Sequence, residues 1–145
     1  MMFMGEYTHG VDEKGRFIMP SKFREKLGKE FVITRGVECC LHIYTRDEWD
    51  ELVMKLEALP GNKKSTRDLK RYLLGGAVEC EIDKQGRCLI APKLRAFAKI
   101  ESEVKIVGIG STLEIWDSGV WEAYNDQDDI NLEEMAESLG LDIPM

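Results

Sequence analysis

The sequence has little of the chemistry that enzymes use. It contains only two histidines, His9 and His42, and neither stands in a Ser-His-Asp or Cys-His pattern. A Walker loop is absent, and residues 108–110 (Gly-Ile-Gly) lack the third glycine and the βαβ context of a dinucleotide site. We therefore expect a protein that is not an enzyme.

Cysteine is scarce as well, and no two of the four cysteines form a C-x-x-C pair. Neither histidine completes the ligand spacing of a zinc site, so we expect no metal and no cofactor. The neighbours Cys39 and Cys40 should point to opposite faces of a strand. We expect small, half-buried thiols in a reducing compartment at all four positions, Cys39, Cys40, Cys80 and Cys88.

Long apolar runs are missing too. None approaches the ~18 residues that a membrane-spanning helix needs. Residues 1–6 do not combine a basic segment with a long apolar one, as a secretory signal would. We expect a cytoplasmic protein without a membrane partner.

Basic residues are absent from the C-terminal part of the chain, where nine acidic residues follow from Asp117 onward. Removing those nine from the 27 acidic residues leaves 18, against 20 Lys and Arg, so residues 1–116 are slightly basic. This asymmetry indicates a basic surface that meets a polyanion and an acidic tail that keeps non-cognate polyanions away. The alternative is that both are merely solvated faces.

The chain carries one pattern twice, at an offset of 71 residues (83 minus 12). Residues 12–24 are DEKGRFIMPSKFR, and residues 83–95 are DKQGRCLIAPKLR. Downstream, the segment LHIY followed by Trp49 is echoed by LEIW followed by Trp121. Because the matches keep their order along each half of the chain, we interpret them as two copies of one supersecondary unit.

Each copy predicts the same order of elements: two strands around a tight turn, a short helix, and two further strands. Gly15 and Gly86 supply the turns because glycine tolerates positive φ. Pro20 opens the first short helix, and Gly28 ends it. The predicted strands are residues 6–11, 15–19, 31–34 and 40–44 in the first copy and residues 77–82, 87–90, 104–109 and 113–116 in the second.

Further helices are predicted outside these strands. Two form a hairpin that joins the copies, the first capped by Thr45 and the second beginning after Ser65. Another begins near Ser118, and the last opens at Asn131 after an acidic loop at residues 126–129. The apolar stripe of the joining hairpin is expected in the core: Trp49, Leu52, Val53, Leu56, Leu59, Leu69, Tyr72 and Leu73.

The duplicated basic hairpin is the remaining candidate site. Arginine suits phosphates and guanine edges because its planar fork donates two hydrogen bonds at once, and a two-stranded β-ribbon fits the major groove. The alternative is an Asp–Arg brace within each hairpin, from Asp12 to Arg16 and from Asp83 to Arg87. One arginine can do both. The predicted DNA-binding residues are Lys14, Arg16, Lys22, Arg24, Lys84, Arg87, Lys93 and Arg95.

At these residues the sequence resembles the MraZ family. The matching motifs are Met2-Phe3-Met4-Gly5-Glu6-Tyr7, Asp12-x-Lys14-Gly15-Arg16, Pro20-x-Lys22-Phe23-Arg24, Leu73-Leu74, Ala77-x-Glu79, Asp83-x-x-Gly86-Arg87, Pro92-x-Leu94-Arg95, Val107-Gly108 and Glu114-Ile115-Trp116. The likeness covers residues 2–124, and the D-x-x-x-R pair is its most specific part.

The resemblance implies an α+β fold: a double-repeat, swapped-hairpin β-barrel of the AbrB/SpoVT type with peripheral helices, in which strands of two half-units interleave. It places a first repeat at residues 5–47, a linking helical hairpin at 48–75, a second repeat at 76–119 and an acidic helical tail at 120–145.

In function, the resemblance implies a bacterial transcriptional regulator in the nucleoid. It would assemble as a ring-like homo-oligomer and bind double-stranded DNA at short G-rich direct repeats ahead of the division and cell-wall gene cluster, including its own gene. Base contact would fall first on Arg16 and Lys14, with Arg87 and Lys84 as counterparts. Gln85 replaces Lys14 in the second copy, which therefore contributes less. Two alternatives stay open: a ring-forming structural protein without DNA, and an antitoxin-like module.

Overall fold

The computed structural model of the chain describes residues 2–126 and 131–143. Eight strands and six helices follow one another in these residues. They are β1 (Phe3–Gly10), β2 (Arg16–Ile18), α1 (Ser21–Leu27), β3 (Glu30–Arg35), β4 (Leu41–Thr45), α2 (Arg46–Glu57), α3 (Lys64–Leu73), β5 (Val78–Glu81), β6 (Arg87–Leu89), α4 (Pro92–Phe97), β7 (Glu103–Gly110), β8 (Thr112–Asp117), α5 (Ser118–Asn125) and α6 (Leu132–Ser138).

The two copies interleave through their strands. Six strands form one antiparallel sheet in the order β1-β7-β8-β4-β3-β5, and β2 pairs with β6 in a separate two-stranded ribbon. The pairs β1–β7, β4–β8, β3–β5 and β2–β6 each join one copy to the other. The fold is therefore the double-repeat, swapped-hairpin α+β fold that the resemblance implied. The predicted turns join β1 to β2 and β5 to β6. The two strands joined by a turn do not pair with each other, because the hydrogen-bonded partner of each of these four strands lies in the other copy.

One hydrophobic core serves both copies. Phe23 of α1 packs edge-on against Phe3 and Tyr7 of β1, with ring centroids 5.7 and 5.2 Å apart. The sheet, the β2–β6 ribbon and the short helices all contribute fully buried side chains: Phe3, Phe17, Met19, Phe23, Leu27, Phe31, Ile33, Leu41, Ile43, Cys88, Ile90, Leu94, Ala98, Val104, Ile106, Leu113 and Ile115. Neither copy could close this core alone, since its apolar faces need the strands of the other.

The joining helices confirm the predicted cap but only part of the predicted core. The Thr45 hydroxyl accepts a hydrogen bond from the backbone N–H of Glu48 at 3.2 Å, which caps α2. Trp49 and Leu56 are buried, whereas Leu59 is 40% exposed and Leu69 is 42% exposed. The prediction of core positions was wrong for these two leucines. Leu59 lies beyond the last residue of α2, so the face of that helix that packs on β3 and β4 does not include it.

The C-terminal helices begin where the sequence predicts. Asp117 caps α5 by accepting from the backbone N–H groups of Gly119 and Val120. Asn131 caps α6 by accepting from the N–H of Glu134 at 3.1 Å. The predicted acidic loop falls largely on residues 127–130, which lie outside the described residues. None of the described helices is long and apolar enough to cross a membrane.

Candidate nucleic-acid interface

The candidate site is the two-stranded ribbon of β2 and β6, which has one buried and one open face. At its centre Phe17 pairs with Cys88, and both side chains are fully buried. Because side chains alternate along a strand, the residues on either side of this pair face outward. They are Arg16 and Ile18 on β2, opposite Leu89 and Arg87 on β6. Both copies thus place one arginine on the same exposed face.

Each of these arginines is held by the aspartate that begins its loop. In the first copy, one Asp12 oxygen accepts from the backbone N–H groups of Lys14 at 3.0 Å and Arg16 at 2.9 Å. The other accepts from Nε of Arg16 at 2.8 Å. The second copy repeats this geometry, with Nε of Arg87 at 2.7 Å from Asp83. The Asp–Arg brace suggested by the sequence is confirmed in both copies.

The brace leaves most of each guanidinium available. Only Nε is engaged, and among the described residues neither Nη atom of Arg16 or Arg87 has a hydrogen-bond partner. The two arginine side chains remain 26% and 31% exposed. Each aspartate therefore fixes the direction of its arginine while the terminal donors face solvent, which is the geometry that a bidentate acceptor needs.

Ionisation of the two aspartates is favoured by the same contacts. The backbone N–H of Arg16 lowers the pKa of the Asp12 carboxyl, and the backbone N–H of Arg87 lowers the pKa of Asp83. A lowered carboxyl pKa means that the contribution to stability is present above the usual value of 3.8 and is lost only as the pH falls through the lowered pKa. Both loops thus keep their shape throughout the neutral range.

The four predicted lysines all have exposed side chains. Lys14 and Lys84 belong to the two loops, and Lys22 and Lys93 lie in the first turns of α1 and α4. None of the four makes an ion pair with another described residue. Both copies thus contribute exposed lysines without ion pairs among the described residues, and Lys93 lines a cavity with Arg35, Gly75 and Gly76.

The two remaining predicted residues, Arg24 and Arg95, lie differently. Arg95 packs on the loop of the first copy, where a Cβ on Gly15 would come within 2.5 Å of its Cζ atom. Arg24 packs in the same way against Gly86 in the loop of the second copy. Arg95 donates from Nε to the carbonyl of Ile90 at 3.0 Å. Both arginines are half-buried supports of the opposite loop, and their contact with DNA stays a prediction.

Backbone hydrogen bonds tie the loops together across the copies. The N–H of Met19 donates to the carbonyl of Gly86, and the N–H of Ile90 donates to the carbonyl of Gly15, each at 2.9 Å. Gly15 and Gly86 have φ values of 87° and 79°, a region that other residues rarely adopt. Either glycine replaced by a larger residue would therefore strain its turn and displace the arginine packed on it.

The comparison with known families agrees with the duplication seen in the structure. A family model described as "MraZ protein, putative antitoxin-like" matches the chain twice, over residues 2–72 and residues 73–142. The two matches start 71 residues apart, which is the offset of the sequence repeat.

The chain belongs to the MraZ family.

Relatives of this MraZ chain are similar over nearly their whole length. A protein of Thermoanaerobacter sp. (strain X514) is 51% identical over 138 residues, which cover 95% of this chain and 96% of the relative. Proteins of Ligilactobacillus salivarius and Acetivibrio thermocellus are 47% and 45% identical, covering 95% and 97% of this chain and 96% and 98% of the relatives. All three are named "Transcriptional regulator MraZ", a class that is not enzymatic.

Sequence reasoning missed two residues on the open face of the β2–β6 ribbon. Ile18 and Leu89 are 48% and 50% exposed, each directly opposite an arginine. The signal was present in the alternation of the strands, since positions 16 and 18 share a face, as do positions 87 and 89. Aliphatic side chains beside arginines widen the surface that a groove floor would contact.

The contact between Asp12 and Arg16 supports a first prediction. In Asp12→Asn, the amide nitrogen or a neutral oxygen replaces the carboxylate that holds Nε of Arg16, so the guanidinium is no longer steered. We expect specific DNA affinity to fall roughly tenfold, which corresponds to about 1.4 kcal/mol. Fluorescence anisotropy on cognate DNA measures it.

The matched control for that variant is Glu13→Gln, which removes the same charge one residue along the same exposed loop. Glu13 contacts neither Arg16 nor the loop backbone among the described residues. If net charge and not steering set the affinity, both variants would instead bind DNA more tightly and by the same factor, because each removes one negative charge that repels the phosphates.

Proposed function

We propose that this protein, a bacterial transcriptional regulator of the MraZ family, binds double-stranded DNA by placing its β2–β6 ribbon in the major groove. The observation that carries the proposal is the pair of braced arginines on one open face, each with free terminal donors. A two-stranded ribbon is narrow enough for the major groove, and guanine presents two acceptors there that match the arginine fork.

The spacing of the arginines supports a short recognition sequence. Arg16 lies opposite Leu89, two residues from Arg87, so the two arginines are diagonal neighbours in the ladder. Their Cα atoms are therefore roughly 7–8 Å apart, about the rise of two base-pair steps. Each bidentate contact with guanine contributes about 1–3 kcal/mol of discrimination. One ribbon can thus read only a few base pairs.

A target of short G-rich direct repeats fits this limited reach. We propose that several chains assemble into a ring-like homo-oligomer and present their ribbons to successive repeats. The sites would lie ahead of the division and cell-wall gene cluster, including the gene of this protein, and the protein would reside on the nucleoid in the cytoplasm. Residues 1–116 are slightly basic, and the segment that begins at Asp117 is acidic. This uneven charge supports the binding of a polyanion to one surface of the protein only.

The test is a gel shift with DNA from upstream of the protein's own gene, beside native mass spectrometry of the same sample. We expect a discrete complex at nanomolar protein, resistant to competition by unrelated DNA of the same length. Equal competition by both DNAs would overturn sequence-specific recognition. A ring in the mass spectrum with no shift on any DNA would favour the purely structural alternative.

An antitoxin-like role is the second candidate, favoured by the family description itself. Antitoxins that use this type of barrel usually carry one hairpin per chain and a disordered toxin-binding tail. This chain carries two hairpins, and Asn131 caps α6 in its tail. Co-purification of a stoichiometric protein partner whose release changes DNA affinity would favour the antitoxin role.

The lysines give a second prediction. Lys22 is exposed at the start of α1, four residues after β2 ends at Ile18, so we assign it a contact with a phosphate and not with a base. We expect Lys22→Ala to weaken binding to all sequences alike and to reduce the slope of log affinity against log salt by about one. Titrations at several salt concentrations, on cognate and unrelated DNA, measure both effects.

Lys55→Ala is the control for that variant, because Lys55 is equally exposed but lies on α2, which packs on the sheet. A change in the cognate-to-unrelated affinity ratio in Lys22→Ala would mean that Lys22 contacts a base.

A further inference from the structure

A cluster of metal-ligating side chains lies where the loop between β3 and β4 meets β8. Sγ of Cys40 and one carboxylate oxygen each of Glu38 and Glu114 all lie within 4.8 Å of one another. Nε2 of His42 is 4.0 Å from an oxygen of Glu114, its direct cross-strand neighbour on β8. The thiol of Cys40 is fully buried, and the side chains of His42 and Glu114 are only 19% and 16% exposed.

The cluster has two carboxylates and no cation to balance them. Among the described residues, no Lys or Arg forms an ion pair with Glu38 or Glu114. The single contact of opposite type is His42, 4.0 Å from Glu114. Glu38 is exposed to solvent, but Glu114 is largely buried beside the buried thiol of Cys40. Negative charge in such a place is costly without a cation, so the arrangement fits a bound cation.

We propose that Glu38, Cys40 and Glu114 bind one Zn²⁺ ion. His42 completes the site after a movement of its ring, since Nε2 is 4.0 Å from Glu114 but is not among the atoms that all lie within 4.8 Å of one another. Sulfur, imidazole and carboxylate ligands together match the preferences of this metal. In a tetrahedral site, Zn–S distances of about 2.3 Å and Zn–N and Zn–O distances of about 2.0–2.1 Å place the ligand atoms about 3.3–3.6 Å apart. The Sγ–Oε2 and Nε2–Oε2 separations of 3.9 and 4.0 Å are close to this. Binding forms a sulfur–zinc bond and releases the thiol proton to solvent.

A neighbouring side chain already orients one of the proposed ligands. The indole N–H of Trp116 donates to Oε1 of Glu114 at 3.0 Å, which leaves Oε2 facing Cys40 and His42. Such a donor behind a ligating carboxylate is the usual support of a metal ligand. The hydroxyl of Thr112 also lies 3.3 Å from Nε2 of His42 and would have to give up that contact to the metal.

The proposed ion would join the two copies of the repeat. Glu38, Cys40 and His42 belong to the first copy, whereas Glu114 lies on β8 of the second. The β4–β8 pair lies at the centre of the six-stranded sheet. With His42 in place, four protein ligands would make a closed site, which is typical of structural zinc. The sequence spacing did not predict it because the fourth ligand is 74 residues from Cys40.

The test uses the full chain after treatment with a chelator, titrated with Zn²⁺ by calorimetry and with Co²⁺ by absorbance. We expect one equivalent of either metal, a thiolate-to-cobalt charge-transfer band, and a melting temperature that rises with zinc. Cys40→Ser and Glu114→Gln should each lower zinc affinity at least about 100-fold, and Trp116→Phe about 10–100-fold.

Cys39→Ser is the matched control, because its thiol contacts the carbonyl of Phe97 and takes no part in the cluster. It should bind zinc like the wild type. No saturable uptake, or uptake without the charge-transfer band in the wild type, would overturn the proposal even if Cys40→Ser failed to fold. Equal losses in Cys39→Ser and Cys40→Ser would overturn it as well.

Discussion

Arg16→Ala is expected to abolish sequence-specific DNA binding while the fold and the assembly survive. Under the proposed function, the variant removes the fork that faces out from the ribbon, and each lost contact with guanine costs about 1–3 kcal/mol of discrimination. Summed over the chains of the proposed ring, this loss would bring cognate affinity down to the level of unrelated DNA. Anisotropy with cognate and unrelated probes at the same salt concentration measures the loss.

The melting temperature of Arg16→Ala distinguishes an arginine that contacts DNA from one that only holds its loop. The Arg16–Asp12 pair is partly exposed, and surface pairs of this kind contribute little to the free energy of unfolding, so the melting temperature should fall by only a few degrees. Arg46→Ala is the matched control, since Arg46 is paired with Asp50 and Glu79 away from the ribbon. A variant at Arg16 that no longer assembles, or that melts far lower, would identify the arginine as a brace.

Tandem repeats should be bound far more tightly than a single repeat. One ribbon reaches too few base pairs to be specific, but in the proposed ring a second ribbon would engage its repeat at a high effective concentration. The expected gain is about 10²–10⁴-fold in affinity for each productive second contact. Probes of equal length that carry one, two or three repeats, titrated under the same conditions, measure it.

Spacing provides the control for the tandem effect. Five extra base pairs between two repeats turn the second site to the opposite side of the duplex, because one helical turn is about 10 base pairs. Affinity for this probe should return to that of a single repeat. If single, tandem and displaced sites bound alike, assembly would play no part in recognition.

Much of the local structure was predictable because its causes are local. The positive φ of Gly15 and Gly86, the Thr45 and Asn131 caps and the Asp–Arg brace each depend on residues within four positions of one another. The sequence repeat showed which residues of the two copies are equivalent. It also identified the arginines at positions 16 and 87 as corresponding residues, which the ribbon then places on one face.

The contacts between the copies were not predictable from the residues alone. Strand alternation defines which face is buried but does not name the partner strand. The residues alone predicted a hairpin within each copy, only the resemblance implied that the strands of the two copies interleave, and neither predicted that β2 pairs with β6. The same limit applies to Arg24 and Arg95, whose position against the opposite loops depends on that pairing. The Cys40–Glu114 contact also needs β4 beside β8. Each of these joins residues of different copies.

The interleaved strands determine the order in which the protein can form during synthesis. The partner of β1 is β7, so Phe3 reaches its neighbour Gly110 only after most of the chain has left the ribosome. Until then the first copy exposes an unpaired strand edge and half of an apolar interior, which is the kind of intermediate that aggregates. Two nascent chains on one messenger offer each other the same missing strands. Duplication within a single polypeptide keeps the correct partner tethered nearby, and so favours the intramolecular product over exchange between neighbours.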